Sequence, residues 1–152
     1  MTTPPTARLA RPDLDGRPHQ LTVERDMKAS AAAIYRAFTE DLDSWFAAPG
    51  AIRMRAQEDQ PFYFETEHEG KRHPHYGRVL TLRPDRLVEL AWVTGMGGTG
   101  GAETVVTVEL APRDGGTRLR LTHAGFYDDA AAKQHEVWGT ILAMLDERLG
   151  RT

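Results

Sequence analysis

Two histidines have the spacing that best suits chemistry on a small molecule. On a β-strand, His123 would share a face with Leu119 and Leu121, because every second side chain points the same way. His135 precedes Trp138 by about one turn of a predicted helix. Both imidazoles can therefore point into one cavity, to bind a ligand hydroxyl or carbonyl or to act as acid or base. The alternative is structural, with each ring donating to a backbone carbonyl at the end of its element.

Aromatic side chains supply most of the other candidate residues. Ligand pockets are lined mainly by apolar and aromatic groups, with a few polar groups that orient the ligand. Tyr76 is the third candidate acid or base if the protein is an enzyme. Gly139 lies inside the predicted helix, where glycine is unfavourable, and indicates either close approach to a sheet or space for a ligand. The predicted ligand pocket contains Trp45, Phe46, Phe64, Tyr76, Trp92, His123, Phe126, His135, Trp138 and Leu142.

Histidines on either side of residue 70 do not predict a metal site. His68, His73 and His75 lie near several glutamates in the sequence. However, His68 and its neighbour Glu67 would face opposite sides of one strand, and no helical His-x-x-x-His pattern encloses an ion. We interpret this region as the solvated end of a hairpin and expect no metal.

A glycine-rich segment matches a nucleotide-binding motif in spacing only. Gly95–Gly100 fits Gly-x-Gly-x-x-Gly, but it leads into the strand-like run Val105–Val108. Pyrophosphate binding requires a helix N-terminus at that point, so we expect no cofactor. The segment is better interpreted as a mobile lip over a cavity or as a plain connection. Serine hydrolysis is also poorly supported, because the sequence has no Gly-x-Ser-x-Gly.

The composition of the 152-residue chain is that of a single globular domain. A formal net charge of −3 offers no basic field to attract nucleic acid or an anionic membrane. The lack of cysteine excludes disulfides, thiolate catalysis and cysteine-bound metals. Neither a membrane-spanning apolar run nor a signal peptide is apparent, and the predicted location is cytoplasmic.

The last segment of the chain has to position the candidate residues. Between Asp128 and Gly150 the apolar residues recur with a helical period, and they form one face: Trp138, Ile141, Leu142, Leu145 and Leu149. This pattern predicts one continuous helix of about 20 residues, with carboxylates at its start and glycine at its end. A helix that is apolar on one side needs a partner, so we expect it to cover a sheet.

The rest of the chain predicts short helices and an antiparallel sheet. Residues 1–18 hold four prolines and few apolar side chains, which predicts a flexible tail before one domain at residues 19–152. A strand at Gln20–Lys28 precedes a helix capped by Ser30 and a second short helix at Leu42–Ala47. Short turns then separate five predicted strands: Phe62–His68, His73–Leu82, Leu87–Val93, Thr104–Leu110 and Thr117–His123.

Several short segments together resemble one superfamily. They are Ala29–Thr39, Leu42–Phe46, Tyr76–Val79, Pro84–Leu87, Ala91–Trp92, Thr117–Leu119 and Leu121–Phe126. Over roughly residues 20 to 149 the chain resembles the SRPBCC or START-like superfamily, in the branch named after the C-terminal domain of the activator of Hsp90 ATPase. One departure is Trp138-Gly139, which the family commonly has as Gly-Trp. The reversal would turn the aromatic ring by about 100° around the helix.

The resemblance implies an α+β helix-grip fold. A curved antiparallel sheet of about six to seven strands would wrap around a long C-terminal helix, with two short helices after the first strand. It also implies a cavity between sheet and helix for a small hydrophobic molecule, aromatic or lipid-like, and a role in stress response. Two alternatives stay open: an enzyme of the aromatase or cyclase type, and a co-chaperone-like interaction module. A non-catalytic monomer or homodimer is favoured.

Overall fold

A seven-stranded antiparallel sheet is the frame of the part of the chain that the structure describes. The structure is a computed structural model, and it describes residues 11–42, 45, 52–53, 55–95 and 99–150. The strands are β1 (His19–Met27), β2 (Ile52–Arg53), β3 (Pro61–His68), β4 (Lys71–Arg83), β5 (Leu87–Thr94), β6 (Thr104–Arg113) and β7 (Gly116–Phe126). Their order across the sheet is β1-β7-β6-β5-β4-β3-β2. The chain therefore forms a meander in which the first strand pairs with the last.

Helices lie on one side of this sheet, which we call its inner face. They are α1 (Ala31–Thr39), α2 (Asp129–Gln134) and α3 (Trp138–Leu149), with a 3₁₀ turn (His135–Val137) between the last two. α1 packs against β5 and β6, whereas α2 and α3 pack against β1. Among the described residues, no helix is long and apolar enough to cross a membrane. The predicted α+β helix-grip fold is confirmed, although most of the second predicted short helix, Leu42–Ala47, lies outside the described residues.

The prediction of one continuous helix from Asp128 to Gly150 is wrong, because the 3₁₀ turn interrupts it. His135 Nδ1 lies 2.9 Å from the carbonyl oxygen of Ala131. In an α-helix that carbonyl would accept the backbone N–H of His135 itself. The His135 N–H turns instead to the Ala132 carbonyl, which is the tighter 3₁₀ pattern. The side chain thus competes with its own backbone and breaks the helix.

The inner face of the sheet carries the hydrophobic core. Val88, Leu90 and Trp92 of β5 alternate with side chains that point to the other face, and each lies opposite a buried residue of β6. Burial of these apolar side chains is the main stabilising contribution to the fold. The core also includes Ile34, Phe38, Phe62, Phe64, Val79, Leu119, Leu121, Trp138, Leu142 and Leu145.

A bulge at Gly125 adds one more ring to the inner face. His123 points inward, so regular alternation would turn Phe126 outward. Gly125 has φ +103°, and the register between β7 and β1 shifts there, between His19 and Gln20. Only glycine adopts that backbone conformation readily. As a result Phe126 is 2% exposed, and its ring centre lies 4.6 Å from that of His123.

The segment before β1 lies along the opposite face of the sheet, which we call the outer face. Arg11 makes a 2.7 Å ion pair with Glu89, and Leu14 packs against a small apolar cluster. Arg17 donates to the carbonyl of Gly125 at 2.9 Å. The tail predicted at residues 1–18 therefore makes specific contacts from Arg11 onward, and its division from the domain stays a prediction.

Candidate functional site

His123 is fully buried on β7, and both of its ring nitrogens are hydrogen-bonded. Nδ1 lies 3.2 Å from Trp138 Nε1, and Nε2 lies 2.7 Å from Thr104 Oγ1. The Thr104 hydroxyl oxygen lies 2.6 Å from the carbonyl oxygen of Trp92. An indole N–H can only donate and a carbonyl can only accept. Trp138 therefore donates to Nδ1, the Nε2–H of His123 donates to Thr104, and the Thr104 hydroxyl donates to the Trp92 carbonyl.

This chain of hydrogen bonds holds the His123 ring neutral. Burial lowers the pKa of His123 well below its usual value, and the nearby His135 lowers it further. Protonation of Nδ1 would also replace the acceptor of the Trp138 N–H with another N–H, so that two hydrogen-bond donors would face each other. The geometry favours a structural role for His123, because neither nitrogen is available to a ligand without breaking a buried hydrogen bond.

His135 is arranged differently, although the structure brings the two histidines together. Its ring centre lies 4.9 Å from that of His123 and 4.5 Å from that of Phe126. Its Nδ1 must carry the proton, because its partner is the carbonyl oxygen of Ala131. In the neutral ring Nε2 then has a lone pair, and nothing in the described part of the chain hydrogen-bonds to it. We call His123, Phe126 and His135 the histidine cluster.

A row of aromatic rings continues from this cluster across the inner face. The ring of Trp138 lies 6.3 Å from His123 and 5.8 Å from Trp92. Trp92 meets the edge of His75 at 5.3 Å, and His75 stacks on Phe64 at 4.7 Å. Burial lowers the pKa of His75, which keeps that ring neutral at pH 7. We call Trp138, Trp92, His75 and Phe64 the inner aromatic row.

One side of α3 is fixed against β1. A Cβ atom at Gly139 would lie 4.0 Å from Val23 of β1. Further along the helix, the buried carboxylate of Asp146 accepts the backbone N–H of Lys28 at 3.0 Å and that of Ala29 at 3.1 Å. These contacts hold α3 along the edge strand of the sheet.

Apolar side chains are exposed on that other side of α3. Val137 and Met144 are 52% and 63% exposed, and Ile141 between them is partly buried. At about 100° per residue these three lie roughly 180° around the helix from the side that contacts β1. They therefore lie on the side of α3 away from β1, next to the side on which the buried Trp138 meets Trp92. We call Val137, Ile141 and Met144 the apolar flank.

Tyr76 does not lie with the predicted pocket residues. It is directly opposite Tyr63 in the sheet, their ring centres are 5.2 Å apart, and Tyr76 is 50% exposed. Because Phe62 and Phe64 point inward, Tyr63 between them points outward, and so does its partner. The structure therefore separates Tyr76 from the histidines, contrary to the prediction.

The remaining predicted pocket residues do not lie together in one part of the structure. Trp45 Nε1 donates to the Ala37 carbonyl at 2.7 Å, and its ring packs edge-on against Phe38, so Trp45 lies against α1. Leu142 is buried beneath α3. Phe46 lies outside the described residues. Among the described residues, no group of His, Asp and Glu side chains could hold a metal ion.

Sequence reasoning missed two polar residues of the inner face. The sequence predicts His75 at the solvated end of a hairpin, yet it lies opposite Phe64. Counting outward from a turn at residues 69 and 70, between the predicted strands Phe62–His68 and His73–Leu82, would have found this pairing, because the residue numbers of antiparallel partners sum to a constant. Thr104 gave no comparable signal, because its role depends on a hydrogen bond to His123 that only the folded sheet creates.

Comparison with known proteins assigns the chain to a family. Residues 28–150 match the model for activator of Hsp90 ATPase homolog 1-like proteins, which is most of the chain. The chain belongs to this family. The match includes α1, the sheet from β2 to β7 and the helices that close the chain. A search among curated proteins finds no match.

Solved structures with the same fold include members from several bacteria. A protein from Chromobacterium violaceum is 23% identical, with a TM-score of 0.72 over 86% of this chain and 96% of that one. The Aha1 dimer from Colwellia psychrerythraea is 21% identical, with a TM-score of 0.65 over 86% and 96%. CalU16 from Micromonospora echinospora is 20% identical, with a TM-score of 0.66 over 86% and 75%. At these identities the likeness concerns the fold of this Hsp90-activator-like domain and not its ligand.

Proposed function

We propose that this protein binds a small hydrophobic molecule, aromatic or lipid-like, between α3 and the inner face of the sheet. The observation that carries the proposal is the apolar flank, which exposes Val137 and Met144 on the helix that also carries Trp138 of the inner aromatic row. Exposed apolar side chains beside aromatic rings form the kind of surface that an apolar ligand covers. A ligand there would remove the flank from water and contact the partly exposed rings of His75 and His135.

Burial of apolar surface gives the expected size of the effect. Each Å² of apolar surface that a ligand removes from water contributes about 25 cal/mol. A ligand at 100 times its dissociation constant stabilises the folded protein by about 2.7 kcal/mol, which raises the melting temperature of a chain this long by roughly 5–10 °C.

The test is thermal unfolding of the protein with fatty acids, flavonoids, polyketides and small aromatic acids. We expect one of these classes to produce the shift, and Met144→Glu to remove it by placing a charge on the apolar flank. Ala130→Glu is the matched control, because it adds the same charge at an exposed position of α2. If the whole panel leaves the wild-type melting temperature unchanged, or if Met144→Glu retains the shift, the proposal is wrong.

A second candidate function is a co-chaperone-like interaction module. Family membership favours it, and the apolar flank would then contact a protein surface. In that case the purified protein stimulates the ATPase activity of an Hsp90-type chaperone, and Met144→Glu weakens the stimulation. No stimulation at saturating concentration would exclude this candidate.

An enzyme of the aromatase or cyclase type is the remaining alternative from the sequence. Tyr76 is on the outer face and His123 is fully hydrogen-bonded, so a catalytic role would fall to His135. Mass spectrometry of a bound ligand after incubation distinguishes the cases, because a carrier returns its ligand unchanged.

A further inference from the structure

His135 sets a requirement on the ligand through its remaining ring nitrogen. The Nδ1 proton is committed to the Ala131 carbonyl at 2.9 Å, so in the neutral ring Nε2 offers a lone pair and no hydrogen. The ring is partly exposed, and it is two residues from Val137 of the apolar flank. A ligand beside the neutral ring meets a hydrogen-bond acceptor.

Within the described part of the chain, β5, β6 and β7 place no lysine or arginine on the inner face beside this acceptor. The inner-face side chains of β5, β6 and β7 are apolar, threonine or histidine. Arg25 of β1 does point to the inner face, but α3 lies between β1 and the apolar flank. A carboxylate taken into this environment would lose its hydration without gaining a cation, which is strongly unfavourable.

We propose that the ligand is a neutral aromatic molecule that carries a hydroxyl or another hydrogen-bond donor, which it gives to Nε2 of His135. This inference rests on the proposed function, because it specifies the class of ligand at the same site. It separates phenol-like molecules from aromatic acids and fatty acids, which share their apolar character. Neither Thr104 nor Trp138 can take the place of His135 as the acceptor of this hydrogen bond, because their polar groups are engaged with His123.

Three ligands of nearly equal shape test the proposal: naphthol, methoxynaphthalene and naphthoate, substituted at the same ring position. Naphthol donates a hydrogen bond, methoxynaphthalene cannot donate, and naphthoate is an anion. We expect calorimetry at neutral pH to give naphthol about tenfold higher affinity than methoxynaphthalene, which corresponds to one net hydrogen bond. Naphthoate should bind most weakly.

Variants of His135 assign the preference to one atom. His135→Phe keeps an aromatic ring and removes the acceptor, so naphthol should bind no better than methoxynaphthalene. His135→Gln supplies an amide oxygen and should recover part of the preference. His73→Phe is the matched control, because His73 is exposed near the end of β4. It should behave as the wild type does.

The outcomes separate this inference from the proposed function. If naphthol and methoxynaphthalene bind equally to the wild type, the apolar site exists and the donor requirement is wrong. The same holds if naphthoate binds best, or if His135→Phe keeps the preference for naphthol. If none of the three binds, both proposals fail for aromatic ligands of this size.

Discussion

His123 and His135 lie with ring centres 4.9 Å apart, yet their surroundings give them opposite properties. His123 is fully buried and uses both nitrogens within the protein. His135 is partly exposed and uses only Nδ1, on a carbonyl of its own helix. The first ring ties the sheet to α3, and the second interrupts the helix and keeps one nitrogen available. Residue type alone therefore does not assign a role, because the partners of each nitrogen decide it.

The strongest test of this difference is removal of each ring. His123→Leu leaves the indole N–H of Trp138 buried without an acceptor, so we expect a loss of about 2–3 kcal/mol in the free energy of unfolding. His135→Leu loses one hydrogen bond at a partly exposed position and should cost less than about 1 kcal/mol. Urea denaturation of the two variants measures both values. Equal losses of unfolding free energy would contradict the distinction between a buried histidine that uses both nitrogens and a partly exposed one that uses only Nδ1.

The dependence of stability on pH is the next largest effect. His123 protonates in the unfolded chain near its ordinary pKa of 6.5, whereas burial keeps the folded pKa well below that. The stabilising contribution is therefore complete above pH 6.5 and is lost as the pH falls below it. For His123 alone the loss between pH 7.5 and 5.5 should be about 1.4 kcal/mol.

Denaturation curves at these two pH values check this expectation in the wild type and in His123→Leu. The variant should lose stability less steeply, with a residual contribution from His75, whose pKa burial also lowers. A variant with the same slope as the wild type would show that His123 is not the group responsible.

The smallest expected effect concerns the glycine that follows Trp138. A Cβ at Gly139 would make an ordinary contact with Val23, so Gly139→Ala should stabilise the protein by about 0.5–1 kcal/mol through helix propensity. The matched control is Gly77→Ala, where the added Cβ would overlap the Ala91 carbonyl and the Phe62 ring. Thermal unfolding distinguishes them, and a destabilised Gly139→Ala would indicate that the approach of α3 to Val23 requires the glycine.

Sequence patterns predicted the fold more fully than the site. Alternation and turn residues placed the strands because those signals are local, and Ser30 caps α1 as expected. The break at His135 was missed because it depends on a side-chain hydrogen bond that competes with the helix. Gly125 turns Phe126 inward through a bulge, which a regular alternation would not predict.

The site depends on relations between distant segments. The spacing of His123 to Leu121 predicts that the two share a face, but the role of His123 follows from Thr104 and Trp138. Tyr76 was placed with the histidines on its residue type, and the register opposite Tyr63 turns it outward. Sequence spacing thus predicted which elements meet, and it did not predict which hydrogen-bonding groups remain available.

The pairing of β1 with β7 also constrains how the chain can be synthesised and folded. The N–H of Lys28 binds Asp146, 118 residues further along, and β1 has β7 as its neighbour in the sheet. Contacts this distant in sequence form slowly, and on the ribosome the first strand must wait unpaired until β7 has emerged. We expect nascent chains that stop before β7 to remain sensitive to proteases in β1 and α1, and protection to appear only with the full chain.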